Sequence, residues 1–115
     1  MAYQGVYNDS LVTGSLQIGA GTPGALGQAI IGFGKIVMAV IPVSVAAGTT
    51  VEQAVTVPGV ALGDYVEVCP PALTNGVILA NSRVSAINTV QFQWSNVTAG
   101  ALVPPAGNYI FLIVR

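Results

Sequence analysis

Residues 89–95 read Thr89-Val90-Gln91-Phe92-Gln93-Trp94-Ser95. Val90, Phe92 and Trp94 alternate with Gln91, Gln93 and Ser95, the two-residue period of a strand that buries one face. By this register Trp94 belongs to a core rather than to an exposed ligand platform. Upstream, residues 50–57 alternate too, with Val51, Gln53, Val55 and Val57 opposite Glu52, Ala54 and Thr56. Residues 65–69 point Val66 and Val68 inward. Residues 77–81 and 83–86 read as two short strands or one bent strand, and Asn88-Thr89 as a tight turn. Pro58-Gly59, Gly63-Asp64, Pro70-Pro71 and Asn75-Gly76 punctuate these runs with turn chemistry. A Pro- and Gly-containing loop, 96–107, leads to a last strand over 108–114. Short strands at close turn spacing predict an all-β fold, an antiparallel β-sandwich or small β-barrel.

Two segments break the alternation. Residues 36–45 and 109–114 are apolar on both faces, whereas antiparallel strands usually present one face to water. The second face therefore needs a cover. A subunit interface supplies one and the chain's own N-terminal segment supplies another; the interface is the expectation. The residues expected to carry it are Val37, Ile41, Arg83, Ile110, Leu112 and Arg115.

Composition points the same way. The 115 residues are 53% hydrophobic, include no histidine, and hold only seven charges: Asp9, Lys35, Glu52, Asp64, Glu67, Arg83 and Arg115. Soluble domains carry about 25% charged residues. A free monomer of this length exposes roughly 5,800 Å², so each charge would serve about 800 Å². Solvent-facing surfaces are usually far denser in charge. An obligate oligomer or a component of a larger shell resolves the mismatch. The net charge of −1 leaves no electrostatic footprint for nucleic acid. Cys69 is the single cysteine, which excludes an intrachain disulfide and reads as a packed, inert thiol.

The N-terminal third differs from the rest. Residues 10–34 hold no charge but carry Gly14, Gly19, Gly21, Gly24, Gly27, Gly32, Gly34 and Pro23. Each interior glycine costs a helix about 1 kcal/mol against alanine, so one helical turn over 26–31 is the most that fits. A membrane span needs about 20 mostly apolar residues, and the glycines and Pro23 break this stretch. The start, Met-Ala-Tyr-Gln-Gly, lacks the basic region of a secretory signal. Tyr3, Val6, Tyr7, Leu11, Leu16, Ile18, Ile30, Ile31 and Phe33 are spaced apolar anchors along the segment. A plain linker has no use for anchors; an arm that docks on a partner does. The expected division is an extended arm over 1–35 and a β-domain over 36–115.

Catalytic chemistry finds few tools. Without histidine there is no Ser-His or Cys-His nucleophile system and almost no route to a zinc site. Asp64 and Glu67 are the nearest approach to a carboxylate pair. Asp64 follows Gly63 in a turn and reads as a local hydrogen-bond acceptor; Glu67 lies on the polar side of a strand. No phosphate-loop motif occurs, and Asn96-Val97-Thr98 is an incidental glycosylation sequon without an export signal. No catalytic residue, metal or cofactor is expected.

Several motifs follow one another in order: Ala54-Val-Thr-Val-Pro-Gly-Val-Ala-Leu-Gly-Asp-Tyr-Val-Glu-Val, Pro70-Pro71-Ala72-Leu73, Ala80-Asn-Ser-Arg-Val-Ser-Ala-Ile-Asn-Thr-Val, Asn96-Val-Thr-Ala-Gly, and Pro104-Pro-Ala-Gly-Asn-Tyr before Arg115. Over about 51–115 the chain resembles the small β-domain of tailed-bacteriophage virion proteins, in particular capsid cement or decoration proteins. Similar domains occur in phage fibres and spikes, where they bind receptors or glycans. The resemblance implies a homotrimer that binds the outer capsid surface where major capsid protein subunits meet, with an N-terminal arm on the shell. It implies no catalytic residues, and no nucleic-acid or membrane partner is expected.

Overall fold

A computed structural model of the chain describes residues 16–17, 29–30 and 32–115. The described residues are all β. Strands β1 (Leu16–Gln17) and β2 (Ala29–Ile30) form a short antiparallel pair, Leu16 opposite Ile30. Strands β3 (Phe33–Val40), β4 (Thr50–Thr56), β5 (Tyr65–Cys69), β6 (Val77–Ala86), β7 (Thr89–Asn96) and β8 (Gly107–Val114) follow. They form two three-stranded antiparallel sheets, β3-β8-β5 and β4-β7-β6, packed as a small β-sandwich.

The alternation of β7 creates the core. Val90, Phe92 and Trp94 are buried from one sheet; Tyr109, Phe111 and Ile113 of β8 meet them from the other. Phe92 stands edge-on to Trp94, with ring centroids 5.9 Å apart, and is stacked on Tyr109 at 6.2 Å. Val40, Val66, Val68 and Val84 fill in around this aromatic centre. β7 and β8 are the middle strands of their sheets, each paired along both edges.

Four boundaries differ from the sequence reading. The expected strand over 36–45 ends at Val40, because Pro42 offers no ladder donor. The Gln53 amide takes over beyond it: its Nε2 donates to Ile41 O at 3.0 Å, and its Oε1 accepts from Val43 N at 3.2 Å. At its other end β3 starts at Phe33, so the arm–domain division expected at 35 falls inside a strand, and the arm anchor Phe33 belongs to the sandwich. Ala29 and Ile30, in the stretch where one helical turn is the most that fits, pair with β1 instead. The β6–β7 turn is Ile87-Asn88 rather than Asn88-Thr89, since Ala86 pairs with Thr89. Asn88 takes φ 58°, a left-handed conformation that asparagine tolerates, and its Oδ1 accepts from Gly59 N at 2.8 Å. β6 is one strand with irregularities between Leu79 and Asn81 and between Val84 and Ala86, the bent alternative of the two readings.

Candidate interaction faces

The two sheets present opposite chemistry to the outside. On β4-β7-β6 the outward residues form polar rows: Glu52–Gln93–Asn81 and Ala54–Gln91–Arg83. Arg83 Nη2 donates to Gln91 Oε1 at 3.0 Å and lies 3.9 Å from Glu52 Oε2; Asn81 Nδ2 donates to Gln93 Oε1 at 3.2 Å. These side chains line a shallow groove of about 260 Å³. Arg83, expected at an interface, therefore stands on the polar face, and its guanidinium is shared between neighbours there.

On β3-β8-β5 the outward residues are mostly apolar. Ladder register sets them in three rows: Phe33–Val114–Tyr65, Lys35–Leu112–Glu67 and Val37–Ile110–Cys69. Phe33 is 68% exposed, Tyr65 57% and Val37 53%, while Ile110, Leu112 and Val114 are half-buried by their flanking strands. Ile41, just past the end of β3, is exposed. Tyr65 Oη donates to Glu67 Oε2 at 3.1 Å, and the carboxylate beside it raises the phenol pKa above its ordinary value. Cys69 is exposed on this face rather than packed, which corrects the sequence reading: β5 turns its valines inward and its thiol out.

Thus Val37, Ile110 and Leu112 of the expected interface share one face, and the sequence reading missed Phe33, Val114 and Tyr65 as members. The signal for Tyr65 lay in the alternation of β5, which sends it outward with Glu67. Arg115 is engaged within the chain. Its Nε and Nη2 grip Asp64 Oδ1 and Oδ2, each at 2.8 Å, and Nη2 also donates to Gly59 O at 2.9 Å. Asp64 does act as a turn acceptor, receiving Ala61 N at 2.9 Å. Its side chain is 2% exposed, and the Arg115 hydrogen bonds hold its pKa below the ordinary carboxylate value against the opposing effect of burial. This fork fastens the end of β8 to the turn before β5.

Among the described residues Asn96 is the polar residue that is buried as a whole, and its amide is fully paired. Nδ2 donates to Val45 O and Gly100 O at 2.9 and 2.8 Å; Oδ1 accepts from Thr98 N and Thr98 Oγ1 at 2.8 and 2.7 Å. The sequon is therefore a structural clamp whose amide nitrogen is occupied. Tyr109 is buried, donates to Pro105 O at 2.6 Å, and has its pKa pushed up to about 12 by desolvation. Trp94 is core, as its register predicts.

Among the described residues, no cluster of three or more metal-ligating side chains occurs, and no helix is long and apolar enough to cross a membrane. Of the arm anchors, Tyr3, Val6, Tyr7, Leu11, Ile18 and Ile31 lie outside the described residues; Leu16 and Ile30 lie in the β1–β2 pair. The fold and its faces define a small β-sandwich with one polar and one apolar sheet face. The chain matches no protein-family model, no curated protein and no solved structure.

Proposed function

We propose that this chain is a structural virion protein: a capsid cement or decoration protein that binds the outer capsid surface as a homotrimer and stabilises the shell without catalysis. Its partners are the major capsid protein and further copies of itself. The observation that carries the proposal is the apolar outer face of β3-β8-β5, in a chain with seven charges. Contiguous apolar surface on a small domain marks a place where protein is covered by protein. The resemblance over 51–115 supplies the capsid as the setting. A clamp that binds the assembled lattice better than free subunits stabilises the shell by mass action, and several copies joined in one oligomer raise the effective concentration at neighbouring sites.

The test mixes purified protein with capsids that lack it and measures occupancy and burst temperature. Saturable binding with a raised burst temperature is the expected result. Binding without stabilisation, or none, overturns the proposal.

A second reading is a receptor- or glycan-binding domain of a phage fibre or spike. The amide-rich groove between Glu52, Asn81, Arg83, Gln91 and Gln93 favours it, since such groups pair with hydroxyls. Burial of Trp94 withholds that ring from stacking on a sugar, and the exposed Tyr65 lies on the opposite sheet. Glycan-array binding lost in Gln93→Ala would establish this reading over the first.

A further inference from the structure

The apolar face holds one cation and one anion, and their placement is specific. Lys35 on β3 and Glu67 on β5 sit in the same row, on either side of Leu112 on the central strand β8. They are one strand beyond direct neighbours, so the row presents a positive flank, an apolar centre and a negative flank. The row above runs Phe33–Val114–Tyr65, the row below Val37–Ile110–Cys69. A surface with opposite charges at its two sides and apolar residues between complements a rotated copy of itself.

We infer that copies of this chain meet through this face in a closed three-membered ring whose axis runs along β8. The inference rests on the reading of the chain as a homotrimer and assigns the face that makes it. Rotation about an axis parallel to the strands leaves height along the strands unchanged. Each row therefore stays level with itself, and the β3 flank of one copy adjoins the β5 flank of the next. Lys35 meets Glu67 of the next copy, Phe33 meets its Tyr65 and Val37 meets its Cys69. Leu112 from all three copies converges on the axis.

An axis across the strands would instead set Lys35 against Lys35 and Glu67 against Glu67. Like-charge contacts of that kind oppose association.

The native Cys69 provides the test. Val37→Cys is an exposed substitution and leaves the core untouched. Within one chain, positions 37 and 69 are separated by β8, so their Cα atoms lie about 9.6 Å apart, beyond the reach of a disulfide. Across the inferred contact they are level neighbours. Mild oxidation of the Val37→Cys protein, run on a non-reducing denaturing gel beside light scattering of the native chain, is expected to give a covalent trimer. A native trimer that stays uncrosslinked overturns the face and leaves the homotrimer reading intact. A monomer in both measurements overturns both, and leaves the chain's own N-terminal segment as the cover. A covalent species that stops at the dimer overturns the three-fold ring.

Charge exchange gives an independent readout. Lys35→Glu and Glu67→Lys should each weaken association by tenfold or more, and the double exchange should restore most of it. If the double exchange is as weak as the single ones, the Lys35–Glu67 contact is wrong.

Discussion

Two side chains tie loops to this sandwich in ways that differ in how readable they are. Asn96 uses both amide nitrogen hydrogens and its carbonyl oxygen within a buried site. Asn96→Ala leaves Val45 O, Gly100 O and Thr98 N without that partner and should cost about 2–4 kcal/mol in urea unfolding. Asp64 and Arg115 should give a pH signature. Asp64 has a folded pKa below its ordinary 3.8, so its contribution is present above that value and is lost as pH falls through the folded one. Asp64→Asn should therefore lower the melting temperature at neutral pH, and the deficit should shrink towards zero in acid. A deficit that is constant with pH would contradict the ion pair. Asp64 was legible as a turn acceptor because its partner, Ala61 N, is three residues away. Its second partner is 51 residues away and only the folded register brings it in. Asn96 was read as a sequon because nothing local reveals that the residue is buried.

Elements were legible where apolar and polar residues alternate along the chain, in the edge strands β4 and β5 as well as in β7, while β8 was legible as an apolar run. β7 and β8 each lie between two strands, and the aromatic residues that their registers send inward form the centre of the core. Phe111→Ala should cost about 3–5 kcal/mol, measured by chemical denaturation, because it leaves a hole beside Phe92. The far end of β3 was placed too late: Pro42, which supplies no ladder donor, stops the strand at Val40, and the Gln53 amide pairs Ile41 and Val43 beyond it. The Asn75-Gly76 turn was readable from its residues, and its glycine is required on two counts. Gly76 has φ +89°, and a Cβ there would collide with Thr98 Cγ2. Gly76→Ala should destabilise the chain, with a lower melting temperature as the readout; an unchanged melting temperature would contradict that packing.

At the scale of the whole molecule, the scarcity of charge is not spread evenly. One sheet carries Glu52 and Arg83 among amides, and the other carries Lys35 and Glu67 among apolar residues. The sequence already indicated that residues 36–45 and 109–114 needed covering on two sides. It did not indicate that β5 completes their outer face, because the β5–β8 pairing joins strands about 45 residues apart in sequence. The central claim is that this face is covered by other copies of the chain. The mass of the purified protein in solution, by light scattering at micromolar concentration, tests it most directly. A particle of three chains is the result expected; a stable monomer would contradict it.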